Sequence, residues 1–250
     1  MDKIAVISDI HGNLTALEAV LDDIEIRDIH TILCLGDLIG KGPNSKKVLE
    51  LIREKCEVVV LGNWDDFIRK PIDSSEIVWQ QNQLDEGDMA YLGSLPYHYD
   101  FYMSGKYVRL FHASAKSVYH RVFPMGASIE ELQDMFANTE WIVPLEDGAA
   151  PDVVGYGDIH AALIQPIYPQ RMLFNAGSVG NSLDMRGATY CILHGVYQSK
   201  EAAPFSIELV RLPYDIEKEL LIAKEMGLPG LEAYELELRE CRYRGRPKSE

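Results

Sequence analysis

The sequence predicts an α/β fold in which two sheets pack together beneath a cover of helices. Three observations predict it. Short apolar runs alternate with amphipathic helical stretches at the start of the chain, strand-like runs dominate the second half, and one run after another ends in metal-ligand residue types. The first three such endings are Asp9-Ile10-His11, Gly36-Asp37-Leu38-Ile39-Gly40 and Gly62-Asn63-Trp64-Asp65.

Lys3 to Ser8 and Thr31 to Leu35 read as short buried strands of Ile, Val and Leu. Between them Leu14, Leu17, Val20, Leu21 and Ile24 fall on one helical face. A second helix is expected from Pro43 through Val48, Leu49 and Ile52, and a third strand from Cys56 to Leu61. Asp9 and Asp37 are 28 residues apart and Asp37 and Asn63 are 26 apart, close to the roughly 30 residues of one βαβ unit. The three strands are therefore expected to be parallel neighbours. Tyr107 to Phe111 then ends at His112-Ala113-Ser114, and Asp152 to Tyr156 ends at Gly157-Asp158-Ile159-His160. After Met172 to Phe174, the small residues of Asn175 to Gly180 would let backbone approach a ligand closely. Thr189 to Leu193 and Phe205 to Leu212 complete the strands, with Arg186-Gly187 as turn material.

Composition narrows the function classes. A chain of 250 residues without a Pro/Ser-rich linker is read as one domain, 1–250. Segments 69–100 and 117–150 are longer than ordinary connections and are expected as cap-like insertions, their aromatics (Trp79, Tyr91, Tyr97, Tyr99, Tyr119, Trp141) either facing substrate or packing helices. A helical tail is expected over 213–250. Lys plus Arg number 24 against 39 Asp plus Glu, a net charge of −15, which argues against duplex nucleic acid as a partner and suits bound cations. The four cysteines lack CxxC spacing and read as reduced. No apolar run has the length of a membrane span, and a strand begins almost at Met1, so no membrane partner and a cytoplasmic setting are expected.

In an open α/β sheet, ligands bind beyond the carboxyl ends of the strands, where the loops diverge. Any one of these motifs alone is as consistent with a turn; several at successive strand exits converge on one place. Other motifs fail. Gly36 to Lys41 has three residues between its glycines and Gly42 after the lysine, so it is no phosphate loop. His30, His98, His120 and His194 lack a visible partner, and of these only His120 lies where it could act as a proton donor. Arg239, Arg242, Arg244, Arg246 and Lys248 make a basic terminus, read as a solvated helix end or a contact for an anionic partner.

The series of motifs resembles the calcineurin-like metallophosphoesterase superfamily, whose blocks read D-x-H, G-D-x-x-x-G, G-N-H-[DE], H and G-H-x-H. The likeness spans nearly the whole chain. It is nearest to the small bacterial phosphodiesterase branch, including the streptococcal enzymes that cleave diadenosine tetraphosphate asymmetrically. The resemblance implies a four-layer αββα sandwich of two mixed sheets flanked by helices. It also implies two metal ions, Mn and Fe with Zn as an alternative: Asp9, His11 and His160 on one, Asn63 and His112 on the other, Asp37 between them. By the same resemblance Asp37, Asn63, Trp64 and Asp65 stand at the reaction, and His11, Asn63 and Trp64 meet a nucleotide or phosphodiester substrate.

Gly36-Asp37-Leu38-Ile39-Gly40 is one residue shorter than the second block, a minor departure, and two substitutions depart further. Trp64 stands where the family often has His, and an indole supplies no proton at neutral pH. Phosphate leaving groups need little protonation, so nucleoside polyphosphates or activated diesters are expected over alkyl monoesters. Trp64 would donate its N–H to phosphate, stack on a base, or serve as a packing lid; Asp65 has the alternative role of a helix cap. Asp158 replaces the first His of the last block, either as an anionic metal ligand or as a residue that orients one. Two further readings are a protein serine/threonine phosphatase and a non-catalytic binding scaffold.

Overall fold

The computed structural model describes residues 1–244; Arg246 and Lys248 of the basic terminus lie outside them. The first half runs β1 (Asp2–Ile7), α1 (Leu14–Ile26), β2 (Thr31–Cys34), α2 (Ser45–Lys55), β3 (Val58–Val59), α3 (Asn63–Phe67), α4 (Ser75–Gln81) and α5 (Glu86–Ser94). The hairpin β4 (His98–Met103) and β5 (Lys106–Phe111) follows, then α6 (Ile129–Asp134), β6 (Val153–Tyr156), β7 (Leu163–Ile167) and β8 (Arg171–Asn175). The chain continues through β9 (Ala188–Gly195), β10 (Ser206–Leu212), α7 (Ile216–Glu225) and α8 (Leu231–Glu240).

The strands form two five-stranded sheets, ordered β10-β9-β1-β2-β3 and β4-β5-β6-β8-β7. In the first, β1, β2 and β3 are parallel neighbours as their spacing predicts, while β9 and β10 run antiparallel. In the second, β5, β6 and β8 are parallel, with β4 and β7 antiparallel at the edges. Both sheets are mixed, as the resemblance implies.

Alternation along the central strands sets the layers. Ile4 and Val6 of β1 pack between the sheets with Leu33, Val108, Leu110, Val153 and Leu193. Ala5 and Ile7 point the other way, onto Leu17 and Val20 of α1 and Val48 and Ile52 of α2. Buried on both faces, β1 reads as one continuous apolar run. The outer face of the second sheet (Phe111, Val154, Tyr156, Leu173) is covered by Val122, Leu132, Phe136 and Ile142 of the 117–150 segment. Helices α7 and α8 pack around Leu220, Tyr234 and Leu238, with Trp79 of α4 against them.

Some boundaries differ from expectation. Helix α2 begins at Ser45 rather than Pro43, because Gly42 and Asn44 first donate backbone N–H to His11 O and Gly12 O at 2.7 and 2.9 Å. The third strand keeps only Val58–Val59, since Leu61 turns to bond Pro96 O at 2.8 Å. Strands β4 and β7 escape periodicity: β4 mixes aromatic and polar residues, and β7 contains Pro166, tolerated because it is an edge strand. The four cysteines are free, and among the described residues no helix is long and apolar enough to cross a membrane.

Leu33→Ala or Leu193→Ala, truncating the layer between the sheets, should cost about 2–5 kcal/mol in urea unfolding. The exposed Val143→Ala should stay within about 0.5 kcal/mol of wild type.

Candidate metal centre

The ligand loops are strained where they turn. Asp9, His11, Asp37, Lys41, Asp158 and His160 all adopt left-handed backbone, φ between 51° and 61°, at roughly 1–2 kcal/mol per residue. What holds them is a hydrogen-bond ladder that continues past the strand ends. Asp9 N reaches Gly36 O at 3.0 Å, His11 N reaches Asp37 O at 2.9 Å, and Gly180 N reaches Asp9 O at 3.0 Å. Gly62 sits where two loops cross: a Cβ there would lie 2.2 Å from the Asp37 nitrogen.

Five fully or almost fully buried side chains converge. His160 Nε2 lies 3.2 Å from Asp9 Oδ1 and 3.2 Å from His11 Nε2. Asp37 reaches two ways, with Oδ2 3.5 Å from His11 Nε2 and Oδ1 3.4 Å from His112 Nε2. Asn63 Oδ1 is 2.8 Å from His112 Nε2. Two groups of three can each surround one ion: Asp9, His11 and His160, and Asp9, Asp37 and His112. Asp9 thus belongs to both, while Asp37 spans His11 and His112.

Several observations show that these residues fit metal ions. Each imidazole turns Nδ1 to a backbone carbonyl, His11 to Ile39 at 3.2 Å, His112 to Leu35 at 2.7 Å and His160 to Asn181 at 2.6 Å. With the Nδ1 proton so placed, Nε2 offers a lone pair to the centre, the usual way a metal-binding histidine is oriented. Ligand atoms about 2.1 Å from one ion lie roughly 3.0–3.5 Å apart, close to the separations of 2.8 to 3.5 Å above. Asp9 Oδ2 accepts from Ser8 Oγ at 2.5 Å and from Asp158 N at 3.1 Å, whereas Asp9 Oδ1 is buried without a partner among the described residues.

The protonation tendencies point the same way. Burial opposes charge on Asp9, yet His160 beside it, with His112 and the Ser8 hydroxyl, brings its carboxyl down to about 2. Burial pushes Asp37 well above the carboxylate range, Asp9 and Asp65 adding to it and His112 opposing. Burial pulls His11 well below the imidazole range. His112, despite burial, is lifted to about 9 by Asp37, Asp9 and Asp158. The carboxylates cannot all stay charged in this dry space without added positive charge, and mixed imidazole, carboxylate and amide donors suit Mn, Fe or Zn.

The remaining expected site residues fall out differently. Trp64 packs edge-on to His11, ring centroids 5.7 Å apart, and lines the cavity beside the centre, while its backbone N–H donates to Asp37 Oδ1 at 2.8 Å. Asp65 is turned away from the reaction. Its carboxylate accepts the N–H groups of Asp37, Leu38 and Gly62 at 2.8, 3.0 and 3.0 Å, clipping the second ligand loop to the third. Asp158 lies outside both ion-compatible groups, and Arg121 holds its two oxygens at 2.7 and 2.9 Å. A guanidinium fork thus occupies one acceptor direction on each oxygen and sets the orientation of the carboxylate, whose Oδ1 lies 3.8 Å from His112 Nε2. His120 bonds Ser114 Oγ at 3.1 Å and does not line the cavity. Asn175 to Gly180 approaches backbone rather than ligand, with Ser178 Oγ on Asp9 O at 2.7 Å.

A cavity of about 480 Å³ opens beside the centre, lined by Asp37, Trp64 and His160, by the cations Lys41, Arg121 and Arg244, and by an apolar wall including Phe123, Met125 and Leu183. Of the 117–150 segment, Arg121, Phe123, Pro124 and Met125 reach it; none of the six insertion aromatics does. Tyr97 and Trp141 instead stack on each other with centroids 5.9 Å apart. Lys41, Arg121 and Asn181 were not foreseen as site residues. Only the charge of Lys41 just beyond the Asp37 motif could have drawn attention to it.

Fold and centre together define a phosphoesterase: the profile of the calcineurin-like phosphoesterase family matches residues 2–161, and the chain belongs to that family. Members use divalent metals on small phosphoester substrates. The chain is 34% identical over 233 residues to an uncharacterized protein of Methanocaldococcus jannaschii, covering 86% of this chain and 89% of that one. The crystal structure of a metallophosphoesterase from Sphaerobacter thermophilus is similar with a TM-score of 0.74 at 22% identity, covering 96% of this chain and 100% of that one. A hypothetical protein from Pyrococcus horikoshii gives 0.77 at 16% identity, covering 97% and 100%.

Asp65→Ala leaves three buried N–H groups without an acceptor, each worth about 1–3 kcal/mol. It should lower stability by at least about 2 kcal/mol and weaken Mn²⁺ binding roughly 10- to 100-fold, read by urea unfolding and metal titration. Unchanged Mn²⁺ affinity would show that the clip does not set the ligand loop.

Proposed function

We propose that the chain is a two-metal phosphodiesterase whose preferred substrates are activated phosphodiesters and nucleoside polyphosphates, diadenosine tetraphosphate among them. The observation that carries this reading is the cavity itself. In a chain of net charge −15, three cations and an apolar wall share one cavity with Asp37 and His160 of the donor set. That combination suits an anionic phosphate chain joined to a flat, apolar base.

Asp9, His11 and His160 would hold one ion and Asn63 and His112 the other, with Asp37 between them; Mn and Fe fit these donors, as does Zn. When bound, such ions supply Lewis-acid stabilisation of phosphoryl oxygens and lower the pKa of water. The protein's own part is to orient and to exclude water. The Nδ1 bonds fix each imidazole, Ser8 and the Asp158 N–H fix Asp9, and Asp65 fixes the loop that carries Asp37. Trp64 walls the cavity and contributes packing rather than a proton, which favours leaving groups that depart as phosphates. We read the whole chain as one domain, since Glu237 of α8 accepts from Asn181 Nδ2 at 3.1 Å and so ties the C-terminal tail to the His160 loop. A cytoplasmic setting belongs to the same reading.

Protein purified without chelator should carry close to two metal ions per chain by elemental analysis and, with Mn²⁺, convert diadenosine tetraphosphate to AMP and ATP by chromatography. Two ADP instead would keep the phosphodiesterase and change the cleavage position. Protein that binds no metal and stays inert with Mn²⁺ would favour the binding scaffold, and turnover confined to phosphopeptides would favour the protein phosphatase. Chelation should also lower the melting temperature, because ions bind the folded state.

Trp64→His restores an imidazole beside the centre and should raise kcat/KM on alkyl phosphomonoesters at least about 10-fold, the lower part of the range for general-acid help. No gain would leave Trp64 as a packing residue.

A further inference from the structure

The three cations of the cavity are not equivalent. Arg121 is clasped by Asp158, as described above. Arg244 donates from Nε to Glu237 at 3.0 Å and from Nη1 to Glu76 at 2.6 Å. Lys41 differs from both. It is only 5% exposed, and among the described residues its one hydrogen bond runs to a neutral amide, Nζ to Asn181 Oδ1 at 2.8 Å.

An ammonium carries three N–H donors, so two remain. Burial pulls the Lys41 pKa below the lysine range, with Glu237 behind Asn181 acting against it. The Tyr243 ring, 5.8 Å from Nζ, is the other neighbour at the cavity wall. Asp37 and Asp9 also favour its charge, but those carboxylates belong to the ligand set and would be neutralised by ions bound there. Among the described residues, Lys41 is then the cavity's uncompensated positive charge. A buried charge without a partner is costly, and its strained backbone, φ 57°, adds to the cost of keeping it there.

We propose that Lys41 contacts a second phosphoryl group, beside the one at the Asp9–Asp37 centre, so that the substrates are compounds with two or more linked phosphates. The proposal rests on reading the site as a two-metal phosphoesterase. A metal centre alone serves any phosphoester. A free ammonium outside the ligand set adds affinity only when the substrate presents another anionic group. A hydrogen bond between charged groups corresponds to roughly 10- to 150-fold in affinity.

The test is calorimetric titration of the Mn²⁺-loaded protein with α,β-methylene ADP and with AMP. Wild type should bind the diphosphate at least roughly 10-fold tighter. Lys41→Met and Lys41→Gln should lose that difference while still loading metal, and Lys41→Arg should retain part of it. In turnover, kcat/KM of Lys41→Gln should fall at least roughly 10-fold more on ATP than on bis(p-nitrophenyl) phosphate. Equal losses on the two substrates, or an unchanged affinity ratio in either neutral variant, would overturn the proposal. Wild type that turns over neither substrate would remove the phosphodiesterase reading alone, because the affinity ratio reports on Lys41 without turnover.

Discussion

The structure depends on one electrostatic constraint: two carboxylates and three imidazoles are held in a dry space with their lone pairs converging. Left to themselves these groups would separate or take up protons. Burial keeps them from water, and backbone groups keep them from turning away. The three Nδ1 contacts, the Ser8 hydroxyl and Asp158 N–H on Asp9, and the Trp64 N–H on Asp37 hold the side chains turned toward one another. The strained turns have the same cause, since a ligand loop that folds back on its own strand end must pass through left-handed backbone.

The two sheets contribute to the centre in a nearly symmetric way. Asp9-Ile10-His11 leaves β1 in the middle of the first sheet, and Asp158-Ile159-His160 leaves β6 in the middle of the second. Both motifs put their Asp and their His in left-handed backbone, and in both the His faces the centre. Their carboxylates diverge because of their surroundings. Asp9 takes a hydroxyl and an N–H on Oδ2, and its Oδ1 faces the His160 imidazole at 3.2 Å with no hydrogen-bond donor among the described residues. Asp158 meets Arg121, whose fork takes both of its oxygens. Identical local sequence therefore yields a candidate ligand in one sheet and half of an ion pair in the other.

That difference marks what the sequence could and could not reveal. Asp9, His11, Asp37, Asn63, His112 and His160 were legible because a strand exit is a local signal and several exits must share one end of the sheets. The alternating sheet-and-helix order was legible for the same reason, through apolar periodicity. Arg121 was not, because it lies 37 residues from Asp158 in a segment with no period to anchor it. Asp65 left two roles open because residue type does not say which way a carboxylate turns; here it takes the cap role at α3 and also accepts from two backbone donors of the neighbouring loop. Edge strands β4 and β7 lack the continuous apolar runs of β1 and β2, since they are buried less completely.

The least legible part is also the one that joins the tail to the chemistry. Asn181 accepts His160 Nδ1 on its carbonyl at 2.6 Å, accepts Lys41 Nζ on its side-chain oxygen at 2.8 Å, and donates from Nδ2 to Glu237 at 3.1 Å. Glu237 is in turn braced by Arg244, which reaches on to Glu76 of α4. One asparagine therefore sets a candidate metal ligand and the Lys41 ammonium together. Its own orientation depends on a carboxylate 56 residues further along the chain. Buried polar networks of this kind are stable only when every member is satisfied. The C-terminal helix thus supports the site from behind: Glu237 holds Asn181, and Asn181 holds both the imidazole and the ammonium that face the cavity.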